Sequence, residues 1–237
     1  MRDHEDFYRG KSDLANFREV CAGGIAPKRL YRSCHPIIYG NRGPGMMELA
    51  QQAGIAAVLN LSDNEEILSR KAPLVPWYHK LFQEDRIIAL NMDFDVFGDR
   101  FFGKLNRGVK FIIDREGPYL IHCVRGIERT GFFVMLLEML MGAEKTEIVN
   151  DYLKSFSGKP GFEKDSWYYK QEHNYFIAVM KKLNGGKSAQ TNILPILAEK
   201  YLLENAGLTR LEVDLLKARL STTGKIQNAD VLPVEYT

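Results

Sequence analysis

The chain has 237 residues, enough for one large domain with a sizeable core. Its 32 Lys and Arg nearly balance 30 Asp and Glu. The formal charge of +2 excludes bulk affinity for nucleic acid or membrane, so any preference for anions must be local.

Residues 1–29 are mixed, and the polar start shows no signal segment. Only three cysteines occur, Cys21, Cys34 and Cys123, too few for a disulfide framework. These features fit a cytoplasmic protein, or one secreted after loss of a signal peptide. Neither the cysteines nor the histidines show metal-ligand spacing, so no cofactor is expected. Leu30 to Ser33 predicts a short strand. Met46 to Ala53 predicts a helix that Gly54 stops. Ile55 to Leu61 is a nearly unbroken apolar run, the pattern of a parallel strand covered on both faces. A helix over Asn64 to Lys71 comes next, and Pro73, Pro76 and Trp77 open an irregular stretch. Arg86 to Asn91 reads as another buried strand. Phe101 to Asp114 is an amphipathic helix, with Phe101, Leu105, Val109 and Ile112 inside and Asp99 as its expected N-cap.

Tyr119 to His122 predicts a strand, and Phe132 to Met141 a buried helix. Further helices are expected over Thr146 to Phe156, Asp165 to Leu183, Asn192 to Asn205 and Thr209 to Leu220, with Thr209 and Glu212 as a capping box in the last. Residues 222–237 read as a frayed tail. No run reaches membrane-spanning length, so no stable membrane insertion is expected. Strands alternating with helices imply an α/β fold, with a central, mainly parallel sheet of four to five strands flanked by helices and a helical C-terminal part. In such sheets ligands sit at the carboxyl ends of the strands.

Cys123 lies at such an end, and Arg129 opens the following helix. A loop entering a helix N-terminus aims several backbone N–H groups at one point, where the helix dipole adds positive potential. That potential favours a thiolate beneath it, and an arginine at the rim grips two phosphate oxygens. The segment His122-Cys-Val-Arg-Gly-Ile-Glu-Arg-Thr-Gly131 resembles the phosphate-binding loop of cysteine-dependent protein tyrosine phosphatases, matching at His122, Cys123, Gly126, Arg129, Thr130 and Gly131. The likeness extends along the chain. Asn16-Phe-Arg18, Leu30 to Ser33, Glu147-Ile148, Asp151-Tyr152 and Gly207-Leu-Thr209 are similar to a bacterial tyrosine phosphatase family, some of whose members extend to dual specificity or to phosphoinositides. Ile127 and Glu128 depart from that family's Lys and Asp.

The resemblance implies a cysteine-phosphatase fold in a single domain over 1–221: an N-terminal element 1–45, a catalytic core 46–157 and a helical part 158–221. It further implies Cys123 as nucleophile and Arg129 as phosphate grip, with Val124, Arg125, Gly126, Ile127, Glu128 and Thr130 completing the phosphate cradle. Thr130 is expected to donate to the Cys123 sulfur or to cap the helix, and His122 to bond loop backbone. Three acids compete as proton donor to the leaving group. Asp93 and Asp95 stand 30 and 28 residues before the cysteine, and Glu128 lies in the loop. Arg32 either supports the loop or sits on the surface. Cys21 and Cys34 read most simply as packing cysteines; the alternative for Cys34, if it lies close to Cys123, is a resolving thiol.

The expected activity is metal-independent hydrolysis of phosphomonoesters through a cysteinyl-phosphate, on phosphoprotein, phosphopeptide or small phosphoesters. Phosphotyrosine is favoured, with dual specificity open. The alternatives are inositol-phosphate hydrolysis and a weakly active phosphate-binding module.

Overall fold

The computed structural model describes residues 15–37, 42–157 and 159–221. Its centre is a five-stranded sheet in the order β1-β2-β5-β3-β4. The strands are β1 (Arg18–Glu19), β2 (Leu30–Ser33), β3 (Ala57–Asn60), β4 (Ile87–Ala89) and β5 (Tyr119–His122). All pairings are parallel except that of β1 with β2. The mainly parallel α/β fold is therefore as expected. The two-residue β1 is an addition, too short to carry a periodic signal.

β5 enters the sheet last and lies between β2 and β3, with Tyr119 opposite both Leu30 and Ala57 and His122 opposite both Ser33 and Asn60. Successive strand residues face opposite layers. Tyr119 and Ile121 pack with Leu59 in one core, while Leu120 packs with Val58 and Tyr31 in the other. Both faces are covered, which is why these strands read as continuous apolar runs.

Helices α1 (Arg42–Gln52), α2 (Glu65–Lys71) and α3 (Pro76–Gln83) cover the second face. Two departures from sequence expectation occur here. α1 starts before Met46, and α3 occupies a stretch expected to be irregular. Pro76 stands in the first turn of α3, where its missing N–H costs no hydrogen bond. Trp77, Tyr78 and Leu81 then turn inward.

The first face is covered by α4 (Asp99–Asp114), α5 (Glu128–Leu140), α6 (Lys145–Lys154), α7 (Trp167–Leu183), α8 (Leu194–Lys200) and α9 (Arg210–Ser221). α5 is buried nearly all round, from Phe132 to Leu140, so it forms the axis of this layer. Gly98, not Asp99, takes the N-cap position of α4, and Asp99 instead places its charge in the first turn. The helix expected from Asn192 to Asn205 is split into a 3₁₀ turn (Thr191–Ile193), α8 and a π-turn (Tyr201–Asn205). Thr209 and Glu212 form the expected reciprocal cap of α9. Among the described residues, no helix is long and apolar enough to cross a membrane. The tail from 222 lies outside the described residues.

Candidate active site

β5 ends at His122, and α5 begins at Glu128. Cys123 to Ile127 form the loop between them, at the carboxyl end of the central strand. The chain has gone to β4 on one side through helices of the second face, and returns to β5 through α4 on the first. The loop thus lies where the sheet's connections change face.

The carbonyls of Val124, Arg125, Gly126 and Ile127 are held from outside. His35 N–H donates to the Val124 oxygen at 3.1 Å. Asn16 Nδ2 reaches the oxygens of Arg125 and Gly126 at 3.3 and 3.0 Å. Arg32 Nη2 donates to Gly126 at 2.9 Å and to Ile127 at 3.5 Å. Gly131 N–H takes the Ile127 oxygen at 2.6 Å. A peptide whose carbonyl is fixed outward must send its N–H the other way. Among the described residues, the amides of Val124, Arg125, Gly126 and Ile127 meet no acceptor. Such a nest of N–H groups at a helix N-terminus is an anion cradle. Gly126 makes it possible. Its φ is +72°, and a Cβ there would stand 2.3 Å from the Ser33 carbonyl oxygen.

Arg32 is buried, which decides against a surface role. It pairs with Asp151, which also accepts from Arg18 Nε at 2.7 Å. Phe17 stacks on Tyr31 with centroids 5.5 Å apart. The Asn16-Phe-Arg18 segment and Asp151 thus hold the loop from beneath. Tyr152 fits where Gly131 has no side chain, since a Cβ would come within 2.9 Å of its ring.

Arg129 projects from the first turn of α5. Its Nη1 donates to the carbonyls of Leu61 and Met92, both at 3.3 Å, and the Phe94 ring lies 4.7 Å from its guanidinium carbon. The fork is therefore positioned by the segments after β3 and β4 before any anion arrives.

Behind Cys123 runs a buried polar chain that sequence reading missed. His35 Nδ1 accepts from Ile37 N–H, so its Nε2 carries the proton and donates to Asp63 Oδ2 at 2.8 Å. Asn60 Nδ2 donates to Asp63 Oδ2 and to the Tyr78 oxygen, both at 3.1 Å. Tyr78 then donates to His122 Nε2 at 2.9 Å, which assigns the proton of His122 to Nδ1. Burial pushes the His122 pKa well below its ordinary value, so the ring is neutral. His122 was expected to bond loop backbone. Its Nε2 meets the Tyr78 hydroxyl, and a backbone hydrogen bond at Cys123 also acts on the ring, raising its pKa against the larger effect of burial. Burial alone would raise the Asp63 pKa, but His35, Lys71 and Asn60 outweigh it and keep Asp63 ionised.

Thr130 also differs from expectation. Its buried Oγ1 neither donates to the cysteine sulfur nor caps the helix. Ile127 packs in the core and not at the rim. Arg125 is exposed and pairs with Glu128. Cys34 packs in the core of the second face and Cys123 in that of the first, as expected of packing for Cys34.

The three acids have different surroundings. Asp93 forms a 2.8 Å ion pair with Lys104, whose hydrogen bond lowers its pKa. Glu128 is tied to Arg125. Asp95 is exposed, accepts from Phe97 N–H at 3.2 Å, and has no ion-pair partner among the described residues. Its loop is anchored by Tyr201, which donates to the Val96 carbonyl from the π-turn. Beside Arg129, the side chains of Phe94, Val96, Phe132, Tyr152 and Tyr175 line an aromatic cleft.

A model of the tyrosine phosphatase family matches residues 12–222. Among solved structures, the core catalytic domain of the PP-IP phosphatase SIW14 from S. cerevisiae, in complex with citrate, is similar at 18% identity and a TM-score of 0.41, covering 74% of this chain and 96% of that one. A second Siw14 catalytic core is similar at 17% identity and a TM-score of 0.39, covering 73% and 99%. No curated protein matches.

Proposed function

The chain belongs to the tyrosine phosphatase family, a phosphoric monoester hydrolase, and on that premise we propose that it cleaves aryl phosphates of the phosphotyrosine kind through a phosphocysteine at Cys123. The observation that carries this is the loop whose carbonyls from Val124 to Ile127 are bound outward while Arg129 stands ready beside it. Three equatorial phosphoryl oxygens find the amides of Val124 to Glu128 and the Arg129 fork, which stabilise the charge of the transition state.

The thiolate of Cys123 attacks phosphorus. The S–P bond forms, the bond from phosphorus to the phenolic oxygen breaks, and the leaving oxygen takes a proton from Asp95. Water then attacks phosphorus, giving its proton to Asp95. The S–P bond breaks, and phosphate leaves with the thiolate restored. Asp95 is assigned as the acid because Asp93 and Glu128 are committed to Lys104 and Arg125. The aromatic cleft supports an aryl ester, since its walls offer ring contacts and, among the described residues, no further cation besides Arg129. The helical C-terminal part belongs to the same catalytic domain in this reading, because Tyr201 holds the loop of Asp95.

The test is turnover of a small aryl phosphate and of a phosphotyrosine peptide in the presence of chelator, by wild type and Cys123→Ser. Wild type should turn over both, and Cys123→Ser neither, while the variant still binds phosphate. Near-normal turnover by Cys123→Ser, or activity abolished by chelator, would overturn the mechanism. A phosphothreonine peptide and an inositol polyphosphate, assayed alongside, should be poorer substrates.

A further inference from the structure

Asp151 has a neighbour besides its two arginines. It lines an open cavity of ≈ 520 Å³ together with Glu19, Cys21, Glu138, Glu147 and Asn150. Among the described residues, Lys154 is the sole cation in that lining. Most of the acids are already engaged. Glu19 accepts from Lys28 N–H, Glu147 from Glu144 N–H, and Asp151 from Arg18 and Arg32.

Glu138 is different. It is the one acidic residue in α5 beyond the first turn, only 1% exposed, and its Oε1 has no hydrogen-bond partner among the described residues. Burial raises its pKa well above the ordinary value, and Asp151 raises it further against the opposing Arg32 and Arg18. A buried carboxyl without a donor costs stability. A ligand that brings an N–H to this carboxyl group from the cavity recovers part of that cost. No group of three carboxylate, His or Cys side chains among the described residues is close enough to hold a metal ion. The volume far exceeds the roughly 30 Å³ share of a water molecule.

We propose that this cavity binds an organic cation, an ammonium or guanidinium group, that donates to Glu138 and is drawn in by the surrounding carboxylates. The site is separate from the phosphate cradle, and its test does not depend on turnover. The same chemistry comes from two sources, a free diamine or guanidine and the arginine side chain of another protein. Calorimetric titration with agmatine serves for the first, and with an acetyl-Gly-Arg-Gly-amide peptide for the second. The tighter binder identifies the source.

Binding by either, competed only weakly by an equal ionic strength of sodium chloride, is expected. Glu138→Leu, checked for folding by circular dichroism, removes the acceptor and should weaken it about tenfold or more, the loss of one hydrogen bond from a charged donor. Asn150→Lys provides a second variant at an exposed helix position. Its tethered ammonium should occupy the cavity and weaken binding to a similar degree, even if Glu138→Leu fails to fold. No binding of either probe at millimolar concentration, or equal affinity in wild type and Asn150→Lys, would overturn the proposal.

Discussion

At the residue scale, the proposed reaction rests on a fork, a nucleophile and an acid whose surroundings differ sharply. Arg129 is fixed by two carbonyls and an aromatic ring. Lysine keeps the charge but cannot span both carbonyls and two phosphoryl oxygens. Arg129→Lys should lower kcat about 10²-fold or more, with a smaller change in KM, and wild-type kinetics would refute the bidentate role. The acid assignment is checked by comparing leaving groups. Asp95→Asn should slow a phenyl phosphate far more than a nitrophenyl phosphate, because only the poorer leaving group needs its proton in the transition state. Asp93→Asn and Glu128→Gln should affect the two substrates alike. If Glu128→Gln shows the leaving-group dependence instead, the acid is in the loop.

At the element scale, the phosphate loop owes its shape to donors on distant segments. Arg32 on β2 joins Gly126 of the loop to Asp151 of α6. Removing one member of a buried pair costs about 3–5 kcal/mol, and part of this is recovered because Arg18 still neutralises Asp151. Arg32→Met should therefore lower both Tm and kcat, by freeing the Gly126 carbonyl from outside the cradle. Arg32→Lys should restore only part of each, since one ammonium lacks the reach of the fork. A loss of Tm with kcat intact would mean that Arg32 supports the fold but not the cradle.

At the scale of the whole molecule, two buried carboxylates give opposite contributions to the pH dependence of stability. Asp63 is held below its ordinary range, so its contribution is present at neutral pH and lost as pH falls through its folded value. Glu138 is raised, so the native state keeps a proton that the unfolded chain has released. Its contribution is present below the unfolded value and is lost as pH rises through the folded one. Glu138→Gln removes this second effect. The Tm of the variant relative to wild type should therefore climb as pH increases above the ordinary carboxylate range. A difference that is flat with pH would show that Glu138 is ionised in the folded protein.

The sequence by itself determined what is local. The apolar run of β5, the cysteine at its end, the spacing to Arg129 and the apolar α5 all lie within one short stretch, where strand length, loop length and helix periodicity act on neighbours. Gly126 was readable too, because a left-handed position in a tight loop has few alternatives. The tertiary structure decided which groups complete that loop. Asn16 and Arg32 reach it from 110 and 94 residues away, and Tyr78 reaches His122 from 44. Such contacts have no periodic signature in the chain. They exist because parallel strands bring the ends of β2, β3 and β5 side by side. The same packing left the Thr130 hydroxyl without a hydrogen-bond partner among the described residues, paired Asp93 with Lys104, and left Glu138 lining a cavity. Burial and pairing are properties of neighbours in space, and the charge state of each acid follows from them.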